Sequence, residues 1–560
     1  MTYDSAPRQP LAEGEVEIGF EPLAAALERG RHRVLAIDGP ATLAWESVLA
    51  SLGEALTGLG LSWQAVDVRG SLANGAELER RTASAILPGD PAFGRLFEGS
   101  LESLFGELPK IDPDAASLTL VFGPGSVLAG HDELWYFDHP KRVASEAVRS
   151  GSAATLGRQA GAPDAEQRLL FLDWPLLDRH KQGLVAQIGR FVDLTNPERP
   201  RSLTGDALRR TLAVLAGRPF RTRPSFLPGP WGGQWLRTTL GISTGEPNLA
   251  WSYELITPEA GILLGDEEPL EVGFELLMAE HAGAILGTES AERFGTSFPI
   301  RFDYLDTLEG GHLSIQCHPT ETYMRDTFGP AYTQHETYYV VETTPGARIF
   351  LGLREDADVE RFRVEAERAA AGGVPLDPES FVQSYPAKQH RLYAIPAGAV
   401  HASGAGNVML EISATPYLYT LRFYDWLRRD LDGELRPVHL QHAFANLDSG
   451  RRGAGVAAEL IREPVEVRSG DGWAELDLRT PEELFYAVHR LDFDDELRDV
   501  TAGRCHVLCL VAGTEIMLET EQGDHTLSYA ETIVVPAGVG PYRLRRVQGE
   551  PCKLIKAFVR

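Results

Sequence analysis

Two imidazoles, a carboxylate and an amide oxygen make a donor set suited to Zn2+ or a similar divalent ion. The middle of this chain supplies such a set within three short motifs. Gln316 and His318 stand two apart in "LSIQCHP". In a strand, alternate side chains point the same way. Gln316, His318, Ser314 and His312 therefore share one face, and Leu313, Ile315 and Cys317 the other. Glu336, in "TQHETYYVV", shares its face with Tyr338 and Val340. His401 directly follows the turn "PAGAV". Taken singly, each is an ordinary polar residue on a strand. Taken together, with the turn before His401, they predict one metal centre on Gln316, His318, Glu336 and His401, with Ser314 a candidate substrate contact beside it. Fewer than six protein ligands leave room for water or substrate, as a catalytic metal requires.

The elements that must position these groups follow from the apolar patterning. Up to about residue 200, "RHRVLAIDG", "SLTLVFG", "LWYFD", "RLLFLD" and "RFVDL" read as strands, while "ATLAWESVLASLGEAL" and "PKRVASEAVRS" read as helices. Their alternation predicts a parallel sheet with crossover helices. "RPFRTRPSFLPGPWGGQW" is a Pro- and Gly-rich linker into a new domain. From about 235 onward strand signals dominate, broken by one helical insertion, "DADVERFRVEAERAAAGG". An internal repeat is visible: "AIPAGAVHA" (394–402) and "VVPAGVGPY" (534–542) share a turn and strand, with Pro541 standing where His401 stands. His506 and His525 do not reproduce the Gln-x-His spacing, so the second copy is expected to be metal-free. The expected fold class is multidomain: an α/β parallel-sheet domain over 1–210, a metal-binding all-β domain over 211–460 with a helical insertion, and a metal-free all-β domain over 461–560.

The chain has 560 residues, too many for one core, and a formal charge of −27. Such acidity argues against nucleic acid and anionic membranes as partners. The four Cys lack any C-x-x-C pair and are no disulfide framework. The N-terminus has no basic start and apolar run, and no stretch of about twenty apolar residues occurs. A cytoplasmic protein with a small-molecule partner is the expectation, with a homo-oligomer as an open alternative.

The stretches "WGGQWL", "FPIRFDYLD", "LSIQCHP", "HETYYVVETTPGARIFLGL", "IPAGAVHASGAGNVMLEIS" and "LYTLRFYD" resemble class I mannose-6-phosphate isomerases, which are zinc-dependent cupin (jelly-roll) enzymes. The resemblance covers roughly residues 220–560. It implies one Zn2+ on Gln316, His318, Glu336 and His401, with Glu411 and Arg422 as active-site residues. It also implies interconversion of mannose 6-phosphate and fructose 6-phosphate through an enediol. Glu411 would carry the proton or orient a substrate hydroxyl, and Arg422 would share the developing anion. The plainer alternatives are a Glu411–Arg422 salt bridge, or solvent exposure of both. Asp303 and Gln334 stand where the family carries sugar-phosphate lysines. Either Arg301 and Arg325 compensate, or the substrate is an unphosphorylated or other sugar. A non-catalytic sugar sensor or assembly protein is the reading from another class.

The N-terminal part resembles a nucleoside-kinase-type P-loop domain in degenerate form. In "VLAIDGPATLAWES" the Gly-Lys-Ser positions of G-x-x-x-x-G-K-[ST] hold Ala44, Trp45 and Glu46. Glu46 pointing into the loop would repel phosphate, so a scaffold or assembly role is expected.

Overall fold

Short apolar runs ending in Asp or Phe and followed by Gly- or Pro-containing turns form the buried strands of the smaller of two compact units. That unit comprises Arg8–Ala216 and Gly261–His281. The structure, a computed structural model, describes all residues except 1, 2, 31, 373, 431 and 432. The sheet of the smaller unit has seven strands in the order Glu17–Ile18, Arg201–Thr204, Arg190–Asp193, Glu133–Asp138, Val34–Asp38, Leu118–Phe122 and Trp63–Asp67. The last five run parallel, as the sequence predicts. Val34–Asp38 and Leu118–Phe122 are buried throughout, as strands covered on both faces must be. Leu49, Leu52 and Trp45 pack in one core cluster and Leu101, Leu172 and Leu176 in another.

One expected strand is a helix. "RLLFLD" closes the helix Ala165–Arg168, passes through a π-helical turn, Leu169–Asp173, and continues into the helix Trp174–Leu184. A short apolar run does not distinguish a buried strand from a buried helix. Here the pattern extends through "WPLLDRHK", which decides for helix.

A phosphate-binding loop is not shown. The loop between Asp38 and the helix Trp45–Gly58 spends its amides on itself. Leu43 N–H donates to Pro40 O and Trp45 N–H to Leu43 O (2.9 Å), while Gly39 N–H donates to the Asp38 carboxylate (2.8 Å). Glu46 does not point into this loop as expected. Its exposed carboxylate pairs with Arg69 Nη2 at 2.5 Å, and buried Trp45 packs on Phe122.

The larger unit comprises Met1–Pro7, Gly217–Ala260 and Ala282–Arg560. It holds two antiparallel sandwiches. The first joins a six-stranded sheet (Leu392–Ile395, Glu336–Thr343, Asn407–Ala414, Ile300–Asp306, Trp251–Leu255, Ser225–Leu227) to a five-stranded one (Val382–Pro386, Arg348–Leu353, His401–Ser403, Ile315–Cys317, Leu421–Tyr424). The second has six strands (Val465–Gly470, Trp473–Asp477, Tyr486–Phe493, Cys552–Val559, His506–Ala512, Thr532–Val535) facing four (Glu496–Val500, Pro541–Gln548, Glu515–Thr520, Gly523–Ser528). Its core is a tight aliphatic cluster that includes Leu508, Leu510, Ile533 and Leu554. Tyr486 Oη donates to Ile412 O at 2.8 Å, and Tyr304 Oη lies 3.1 Å from Cys509 Sγ, so the two sandwiches are pinned through buried polar contacts.

The expected insertion forms the helix Val359–Ala370, capped by Asp358. It is not the one helix after 235: Phe274–Leu286, Thr288–Phe294, Leu440–Asn446 and Ala454–Leu460 are also helical. Phe274–Leu286 is kinked at His281, where the chain passes from one unit to the other. The smaller unit runs to Ala216 and takes in Gly261–His281 as well. The four cysteines are buried and unpaired. No helix among the described residues is long and apolar enough to cross a membrane.

Candidate metal centre

The first sandwich brings the predicted groups together by strand register. Gln316 pairs across one strand boundary with His401 and across the other with Arg422. Directly opposed residues share a face, so these three do. On the other sheet, Glu336 opposes Ser413, Tyr338 opposes Glu411, and Glu411 opposes Asp303. His318 lies directly after its strand.

His318 Nε2 is 2.6 Å and His401 Nε2 is 3.3 Å from the same oxygen, Glu336 Oε2. The ligand atoms of these three residues all lie within 4.8 Å of one another. Gln316 turns its amide nitrogen, where the oxygen was expected, to His401 Nε2 at 3.3 Å, because its Oε1 accepts from Ser314 Oγ at 2.7 Å. All four candidate ligands are buried.

The fit to a cation can be argued from the protons. His401 Nδ1–H donates to Ala399 O at 2.9 Å, since a carbonyl only accepts. Its Nε2 then carries a lone pair, turned toward a carboxylate oxygen. That lone pair meets the Gln316 amide nitrogen, a donor, at 3.3 Å and Glu336 Oε2 at the same distance, and a cation placed between Nε2 and Oε2 would serve both acceptors. Burial lowers the pKa of His318 despite Glu336, which favours the neutral imidazole a metal needs. The residues present therefore fit a divalent ion.

Beside this cluster lies a group of charges whose pairing the sequence did not show. Arg301, buried, reaches Asp303 Oδ1 through Nε at 3.2 Å and pairs through Nη2 with Glu411 Oε1. Ser413 Oγ also donates to Glu411 Oε1, at 2.9 Å. The expected alternative of a Glu411–Arg422 salt bridge gives way to Glu411–Arg301. Burial pushes Asp303 up to about 6 against the pull of Arg301, and burial raises Glu411 well above the usual carboxylate range. Turned so that its nitrogen donates to Pro416 O (2.8 Å) and to His318 Nδ1 (3.3 Å), the Gln334 amide accepts from Arg301 Nη2 through its oxygen (3.2 Å).

Arg422 is half-buried and donates through Nη1 to Pro437 O at 3.2 Å. Burial, then nearby Arg436, draws its pKa down to about 10. Of the two cations expected to compensate for missing lysines, Arg301 is at the site, whereas Arg325 is largely exposed and pairs with Asp326.

The second sandwich repeats this architecture with other residues. Glu336 opposes Ile395, just before the "PAG" turn, and His506 opposes Val535 in the same way. From that anchor, the register makes Leu508 the counterpart of Tyr338, Lys556 of Glu411 and His489 of Asp303. Lys556 Nζ, buried, donates to Glu475 Oε1 and Asp499 Oδ2, both at 2.7 Å. His489 Nδ1 adds a 2.6 Å contact to Glu475. An ammonium here lies between two carboxylates, where the first copy has its carboxylate and imidazoles.

A family described as a domain of unknown function (DUF8485) matches residues 19–217. Mannose-6-phosphate isomerase of Streptococcus mutans is 27% identical over 241 residues, 42% of this chain and 70% of that protein. Mannose-6-phosphate isomerase ManA of Bacillus subtilis is 25% identical over 231 residues, 40% of this chain and 67% of that protein. The crystal structure of the mannose 6-phosphate isomerase from Bacillus subtilis superposes with a TM-score of 0.50 at 20% sequence identity, covering 61% of this chain and 99% of that one. The chain is thus similar to mannose-6-phosphate isomerases over about two-fifths of its length, and most of its length shares their fold.

Proposed function

We propose that this protein is a divalent-metal-dependent aldose–ketose isomerase, with mannose 6-phosphate and fructose 6-phosphate as the first substrate pair. The observation that carries the reading is the convergence of His318, Glu336 and His401 within 4.8 Å, on strands whose registers also bring in Arg422 and Glu411. A divalent ion held by these residues and Gln316 would polarise the sugar carbonyl and offset the negative charge that develops on its oxygen. Glu411, steadied by Ser413 and Arg301, takes the proton from one sugar carbon and returns it to the next. Arg422 supplies fixed positive charge to the enediol oxygens. Ser314 holds Gln316 in place, and Gln334 and Asp303 line the sugar side.

A second reading, an uncharged aldose as substrate, is favoured by one observation. The buried Arg301 guanidinium is already shared by Asp303 and Glu411, so this wall offers an incoming phosphate more carboxylate than cation. Zinc-loaded protein, incubated with aldoses and their 6-phosphates and followed by NMR, separates the cases. Ketose from mannose 6-phosphate supports the first reading, and faster turnover of free mannose the second. No ketose from any sugar would sink both.

A further inference from the structure

Tyr338 is fully buried, and its hydroxyl makes no hydrogen bond of good geometry among the described residues, the Glu336 carboxylate being the acceptor beside it. It stands two residues after Glu336 on the same strand face and opposes Glu411 across the strand pair. Its ring meets the His401 imidazole edge to face, with centroids 5.9 Å apart. A hydroxyl buried without a partner costs free energy that a phenyl ring of the same shape avoids. The second sandwich makes that comparison within the same chain: the register counterpart of Tyr338 is Leu508, packed in an aliphatic core, where Lys556 and Pro541 replace the site residues.

We infer that Tyr338 is a further catalytic residue of this site, donating its hydroxyl hydrogen bond to an oxygen of the bound sugar beside the metal cluster. The inference rests on the reading of the site as a sugar-binding metal centre. It needs no proton transfer: the hydroxyl stays a donor throughout, and the bond it makes replaces one the sugar had with water. A site that aims a buried donor at a substrate hydroxyl discriminates against analogues lacking it, because the donor is then left unpaired.

Tyr338→Phe tests this with three readouts: zinc content, thermal midpoint without sugar, and binding of mannitol and mannitol 6-phosphate by calorimetry. The variant should keep the zinc content of the parent and melt no lower than it. It should bind the better hexitol about 10-fold more weakly, and any isomerase kcat/KM should fall by about 10²-fold. Unchanged hexitol affinity would overturn the inference, as would loss of zinc together with affinity, or a parent protein that binds neither hexitol. A parent that binds a hexitol yet isomerises no sugar would end the isomerase reading while leaving the role of Tyr338 decided by the binding difference.

Discussion

His401 shows how much one side chain fixes. Its Nδ1–H is tied to Ala399 O within its own turn, so the ring presents Nε2 to Glu336 in one tautomer. Such an outer contact orients a ligand and fixes its tautomer. Replacing both His318 and His401 by Ala leaves one carboxylate and one amide, too few donors to hold a catalytic ion. Protein purified without added zinc should contain close to one metal per chain, and the double variant close to none, by elemental analysis. Part of this geometry was legible in the sequence: a period of two sets Gln316 and His318 on one face and a turn precedes His401, whereas Glu336 reaches them from the other sheet through its register. The pairing of Arg301 with Glu411 was not legible. It depends on the register of strands 110 residues apart in the chain, and no local pattern encodes that. Tyr338 was visible as a neighbour of Glu336 on its face, but a missing hydrogen-bond partner can be seen only once the surroundings are folded.

Strands and turns carry the next level of argument. The repeat around "PAG" predicts a second copy without metal; there the register places the Lys556 ammonium between Glu475 and Asp499. Lys556→Met should cost about 3–5 kcal/mol, since Glu475 and Asp499 lose a buried partner, and should leave the metal content at that of the parent. Denaturant titration alongside elemental analysis checks both. The misread "RLLFLD" segment holds a second consequence. Asp173, at the end of its π-helical turn, accepts from Leu156 N–H at 2.9 Å, and burial pushes its carboxyl up to about 7 against Leu156 and Arg168. The unfolded value lies near roughly 3.9. The folded state therefore holds a proton that the unfolded chain releases. The stability this gives is full below pH ~4 and is lost as pH rises through about 7. Asp173→Asn, which keeps an acceptor for Leu156, should flatten that dependence. Between pH 5 and 8 the parent should lose about 3 kcal/mol relative to the variant, read as a difference in denaturation midpoints. The sequence missed this because a buried helix and a buried strand share the same short apolar run.

The chain as a whole is divided less simply than its motifs suggest. Gly261–His281 leaves the larger unit's sequence to complete the smaller one. There its strand Gly261–Leu264 pairs with Arg8–Gln9, Glu271 takes Arg142 at 2.6 Å, and Glu275 takes buried Lys181 at 2.5 Å. A fragment ending at residue 216 lacks all three. Appending residues 261–281 through a flexible linker should raise its thermal midpoint by about 10 °C, the scale expected when buried ion pairs regain their partners in a domain of this size. An equal midpoint with and without the appended segment would refute this. The same excursion sets a timetable during synthesis. When Ala216 leaves the ribosome the parallel sheet is complete, yet Lys181 still waits for its second carboxylate, Glu275, 59 residues further along. At about 5–20 residues per second that wait lasts roughly 3–12 s. Throughout it Lys181 has Asp138 alone as its carboxylate partner, and the nascent domain lacks the stability that Glu275 adds.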